Sequence, residues 1–160
     1  MAAGAPAPAA FRGIGFRKGF EGDGELAAGL HRLARHLPVF EAPGFTFGSW
    51  EPSREREDGV IVLGWTVPGP EAEAFLAGLG GWITPFDWMA WAASPAGEAL
   101  LGHPDAVAST SAEDLRKLLT VYVRGERFGE GTLENAFKAG MLTAIMRRAG
   151  VLAAELEPTR

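Results

Sequence analysis

A chain of 160 residues, 47% hydrophobic and 22% charged, is enough for one globular domain with its own core and requires no second one. Its formal net charge of -5 weighs against a dedicated nucleic-acid binder, which concentrates basic side chains on one surface, and the absence of cysteine excludes disulfides, thiol catalysis and thiolate metal sites. The opening MAAGAPAPAAF lacks the charged segment and continuous apolar run of a secretion signal, and apolar runs such as Trp88 to Ala93 are too short to span a bilayer, so a cytoplasmic protein without membrane association is expected.

Residues 1–24 read as a flexible arm rich in Ala, Pro and Gly. Within it GIGFRKGFEGDG has neither the preceding strand nor the glycine spacing of a nucleotide-binding loop, so Phe11, Phe16 and Phe20 are expected to pin the segment to the body. Arg12, Arg17 and Lys18 leave a minor anion-binding reading open. A globular domain over 25–152 then follows, with 153–160 as a tail.

Leu26, Leu30, Leu33 and Leu37 fall on one helical face and Pro38 closes the pattern. His31 and His36 lie about 140° apart around that helix, so they do not converge on a metal and are expected at the surface. Residues 44–50 and 60–67 alternate or are β-branched and read as an antiparallel hairpin, joined by the charged loop Arg54 to Asp58 before Gly59. A lone two-stranded ribbon is marginal in water, so helices must cover one of its faces.

A helix is expected between Pro68 and Leu79, with Phe75 and Leu76 inward and Gly80 and Gly81 ending it. Another short helix should carry Pro85 in its first turn and contain Asp87, Trp88 and Trp91, with both tryptophans packed in the core. Pro95, Gly97, Gly102 and Pro104 make the next stretch a connector with a helical turn near Glu98 to Leu101.

The stretch 118–150 is the most informative. Ser111 and Asp114 form a variant capping box ahead of the apolar stripe Leu115, Leu118, Leu119 and Tyr122. A final helix, central to the core, is expected from an N-cap at Thr132 through Leu133, Ala136, Phe137, Gly140, Met141, Ala144 and Ile145. Glu134 lies in its first turn, Arg147 and Arg148 in its last, and Gly150 at its stop. The two helices flank a compact elbow at Gly125 to Gly131. The whole is α+β: a mainly helical single domain with a small antiparallel hairpin packed against the helices.

FDWMAW at Phe86 to Trp91, paired with LRKLLTVYVRGERFGEGTLENAFKAG at Leu115 to Gly140, resembles the bacterial family called domain of unknown function 6508. The resemblance covers roughly Leu26 to Leu152. It departs from the family pattern at Glu126, where Asp is expected more often. It implies a bacterial single domain and no established activity.

No G-x-S-x-G elbow, H-E-x-x-H helix or P-loop occurs, so neither a catalytic set nor a metal or cofactor site is indicated. What remains is the 124–132 elbow, where Arg124 and Arg127 stand near Gly131 and Thr132 at a helix start, with Asp87 and Trp88 as neighbours in the paired motif. Arg127 is expected to be structural, paired with Asp87 or Glu130, with Phe128 pinned in the core and Arg124 reaching towards solvent. The leading expectation is a non-enzymatic binding module whose groove lies at this elbow and whose partner is a protein or a small anionic ligand. One alternative is an enzyme on a phosphorylated or carboxylated small molecule, with Asp87 as acid or base and the two arginines as clamps. The other is a nucleic-acid-associated factor using Lys138, Arg147, Arg148 and the N-terminal bases.

Overall fold

In the computed structural model, residues 19–157 are described. Phe11, Arg12, Phe16, Arg17 and Lys18 lie outside them. The first helix, α1 (Gly22–Ala34), buries Leu30 and Leu33 and begins inside the stretch read as an arm. Phe20, just ahead of it, packs edge-on against fully buried Trp82, ring centroids 4.8 Å apart. The slot for this ring exists because Gly29 and Gly81 carry no side chain: a Cβ on either would stand 2.5 or 2.7 Å from Phe20.

A short helix, α2 (Leu37–Phe40), leads to the ribbon. Strands β1 (Gly48–Glu51) and β4 (Trp65–Pro68) pair antiparallel with Trp50 opposite Thr66, and β2 (Arg54–Glu55) pairs with β3 (Ile61–Val62) farther out. The expected hairpin therefore forms, with its ladder displaced towards the charged connection. Arg54 and Glu55 are strand rather than loop, and the turn narrows to Arg56–Gly59, closed by Gly59 N–H donating to Arg56 O at 2.9 Å. Phe45 and Phe47 precede the strand because they belong to an aromatic cluster with Phe40, Phe75 and Phe137. His36, expected at the surface, is buried in the same cluster, edge-on to Phe75 at 5.7 Å. Desolvation by this burial, followed by the charge of Arg35, lowers its pKa.

After α3 (Pro70–Ala77), which buries Phe75 and Leu76 as expected, the chain turns through Gly81 at φ 89°. It then forms α4 (Trp88–Ala92), α5 (Pro95–Leu100) and α6 (Pro104–Val107). The connector is thus more helical than its Pro and Gly content suggested, since Ser94 caps α5 through Gly97 N–H and Pro95 and Pro104 occupy helix starts. Pro85 stands ahead of α4, and Asp87 is its N-cap, accepting from Ala90 N–H at 3.0 Å.

The long α7 (Ala112–Glu126) starts at the expected cap, Ser111 accepting from Asp114 N–H at 3.1 Å. Its stripe of Leu115, Leu118 and Leu119 is fully buried. The continuous final helix expected from the sequence is instead two: α8 (Thr132–Lys138) and α9 (Met141–Leu156). Gly140 lies between them at φ 83°, a left-handed conformation that ends one helix and redirects the chain into the next. Gly150 does not stop α9. It lies within the helix where α9 packs on α1, and a Cβ there would meet the Ala34 Cβ at 3.6 Å, an ordinary contact. Consequently Arg147 and Arg148 are mid-helix rather than in a last turn, and residues 153–156 continue the helix, with Ala153 fully buried. The expected central role of this region holds for α9, which buries Met141, Leu142, Ala144, Ile145, Met146 and Ala149 and packs against α1, α2, α6, α7 and α8. The protein is mainly helical α+β, and among the described residues no helix is long and apolar enough to cross a membrane.

Candidate functional site at the elbow

The elbow between α7 and α8 is tied inward by its backbone. Phe128 N–H and Gly129 N–H both donate to Gly125 O, at 3.0 and 2.9 Å, and Thr132 N–H donates to Gly129 O. Gly131 takes φ 87°, where a side chain would be strained. Thr132 is not the cap expected of it: it is the first residue of α8, and its hydroxyl donates back to Gly129 O at 2.6 Å.

The capping group is Glu126. One carboxylate oxygen accepts from Gly131 N–H at 3.0 Å and the other from Leu133 N–H at 2.8 Å, so a side chain at the end of α7 satisfies the first donors of α8. Glu126 is 8% exposed. Desolvation pushes its pKa above the usual carboxylate range, partly offset by these backbone donors. Sequence reading missed this role because the carboxylate precedes its helix by a whole turn of chain, whereas Thr132 adjoined it.

Two further carboxylates bind the elbow to the ribbon. Glu130 accepts from Thr66 N–H at 2.7 Å and Glu134 from the Thr66 hydroxyl at 3.2 Å, so the outer edge of β4 is covered by side chains rather than by another strand. Glu134 also pairs with Lys138.

The arginines occupy the reverse of their expected positions. Arg124 is 6% exposed, on the same α7 face as fully buried Thr120 one turn earlier, while Arg127 lies on the exposed outside of the elbow. Burial, and then the neighbouring Arg127 charge, lower the Arg124 pKa. The reason is helical phase: α7 continues to Glu126, which turns position 124 inward, and Arg127 is already its C-cap.

Trp88, expected in the core, is half-buried, and none of the residues of α4 is fully buried. Trp91 does pack against the core, whereas the Trp88 ring lies beside Phe128, centroids 6.1 Å apart and planes inclined at 33°. Phe128 was expected in the core as well and is 77% exposed; Met89 is 57% exposed. Phe128 and Arg127 are thus exposed on the elbow, over its frame of backbone bonds, with half-buried Trp88 of α4 beside Phe128 and exposed Met89 next to Trp88 in the chain.

A family model described as a family of unknown function matches residues 25–155, a span that contains both the FDWMAW segment and the elbow. The chain belongs to the DUF6508 family. No curated protein and no solved structure matches it. In this DUF6508 chain no group of three or more His, Asp or Glu side chains placed to hold a metal ion occurs among the described residues. Its other basic candidates are engaged: Lys138 with Glu134, Arg147 with Glu41, and Arg148 through Nε to Thr110 O at 2.8 Å.

Proposed function

We propose that this DUF6508 protein is a cytoplasmic bacterial binding module that performs no chemistry of its own and engages a protein partner through Trp88, Met89, Arg127 and Phe128. The observation that carries this reading is Phe128, a large aromatic side chain 77% exposed on a joint whose backbone is otherwise fixed by hydrogen bonds. A half-buried Trp beside exposed Phe, Met and Arg on a hydrogen-bonded frame matches the composition of interface centres, and a preformed frame lowers the ordering cost of association. A protein partner is favoured over a small anion because the Glu126 carboxylate already occupies the Gly131 and Leu133 N–H groups that an anion at this helix start would use. Asp87, the acid or base of the enzyme reading, accepts from Ala90 N–H as the N-cap of α4, which supports a structural role for it.

A photo-crosslinking side chain at Phe128, with Glu73 on the exposed side of α3 as control position, tests the reading. A discrete protein adduct from position 128 alone, lost on Arg127→Glu, is the expected result. Adducts equal at both positions would defeat it. A phosphate-dependent rise in melting temperature that disappears in Arg127→Ala would instead favour the small anion.

A further inference from the structure

The ribbon carries a second surface, on the side turned away from the elbow. From 61 to 68 exposure alternates: Ile61, Leu63, Trp65 and Val67 are each more exposed than the even-numbered residue that follows, and Thr66 and Pro68 are buried. The even side packs inward only at its inner end, where Thr66 and Pro68 are buried and Thr66 is bonded by Glu130 and Glu134, while Trp50, across from Thr66 on that side, is 59% exposed. The odd side therefore forms an outward apolar stripe at the two-residue period of a strand, with Ile61 66% and Leu63 67% exposed.

The charges around this stripe are of one sign. Directly across the ladders, Val67 faces Ser49, Trp65 faces Glu51 and Ile61 faces Glu55. Arg54 pairs with Val62 and so belongs to the opposite side, and Arg56 at the turn is paired with Asp58. An apolar stripe edged by Glu51 and Glu55 complements apolar side chains flanked by cations, and like-charge contact disfavours a second copy of the same face. A two-stranded ribbon is marginal in water, and its outer half, β2 with β3, lies beyond the Thr66 anchor, so cover from a partner would stabilise it.

We propose that this face, formed by Ile61, Leu63 and Trp65 with Glu51 and Glu55, is a docking surface for a polypeptide segment presenting apolar and basic side chains together. It is independent of the elbow surface.

The test uses the full chain and three fluorescent synthetic peptides of equal length, alternating Leu–Lys, Leu–Glu and Ser–Lys, followed by anisotropy. The Leu–Lys peptide should bind at least about tenfold more tightly than either of the others, and binding should weaken with added salt. Leu63→Lys and Glu51→Lys should each weaken it by about tenfold or more, whereas the charge-matched control Glu98→Lys on α5 and the elbow variant Phe128→Ser should leave it unchanged. Equal weakening by Glu98→Lys would reduce the effect to net charge and overturn the proposal, as would equal binding of Leu–Lys and Ser–Lys. Sedimentation showing a dimer of the free protein that Leu63→Lys dissociates would assign the face to a second copy and also overturn it. Loss of binding in Phe128→Ser would place the contact at the elbow instead.

Discussion

Glu126→Gln isolates the joint on which the elbow depends. The native carboxylate has two acceptor oxygens facing two backbone donors, Gly131 N–H at 3.0 Å and Leu133 N–H at 2.8 Å, the second of these bonds fully buried. Glutamine keeps one acceptor and turns an NH2 group towards the other donor, so one bond is lost and two donors are opposed. Leaving one buried donor unsatisfied costs about 1 to 3 kcal/mol, and removing the cap contribution altogether in Glu126→Ala adds to that. Relief of carboxylate desolvation works in the opposite direction, which places the expected net loss for Gln at about 1 to 2 kcal/mol near neutral pH. Urea denaturation monitored by tryptophan fluorescence measures it, with an unchanged slope showing that the cooperative unit is intact.

The pH dependence gives a second reading of the same variant. Because burial raises the folded-state pKa of Glu126, its favourable contribution is complete below the unfolded value, near 4.5, and is lost as pH rises through the raised folded value. The non-titrating Gln variant lacks this term, so its deficit relative to wild type should be larger at pH near 4.5 than near neutrality. A Gln variant as stable as wild type at both pH values, or more stable, would refute the capping argument and leave desolvation as the dominant effect.

Phe137→Ala should cost about 3 kcal/mol by denaturant titration, since the ring meets Phe40, Phe45 and Phe47 at 5.8, 5.4 and 6.2 Å and all three contacts are lost. Two alanine substitutions in neighbouring stretches should act with opposite sign in thermal melts: Gly140→Ala destabilises by about 1 to 2 kcal/mol because φ is 83°, whereas Gly150→Ala stabilises by up to about 1 kcal/mol because a Cβ has room against Ala34. Stabilisation by both would mean that the α8–α9 break is not fixed at Gly140. For His36, burial lowers the folded pKa below 6.5, so wild-type stability should be fully present above 6.5 and decline as pH falls from there through the lowered value. His36→Phe, which keeps an aromatic ring beside Phe40 and Phe75, should flatten that segment of the stability–pH curve measured by urea titration.

Elements specified by contiguous residues were legible in the sequence. The Ser111 cap with the leucine stripe of α7, the inward Phe75 and Leu76 of α3, and the antiparallel ribbon each follow from a local period or a local polar group, and the paired motifs sufficed to recognise the family. What sequence reading missed turned on a neighbour distant in the chain. Gly140 and Gly150 look alike in a helical pattern, yet one is a left-handed break and the other lies where α9 packs on α1, because only the packed α1–α9 pair distinguishes a bend from a contact. The site was legible as a region and not as an arrangement. Residues 124–132 were recognised as an elbow, but which arginine lies inside depends on how far α7 continues before it is capped. Likewise, Glu126 becomes a cap and Thr66 an anchored edge only once α8 and β4 are folded against the end of α7. Periodicity places a side chain on a face; whether that face meets solvent, a helix start or a strand edge is decided by the tertiary fold.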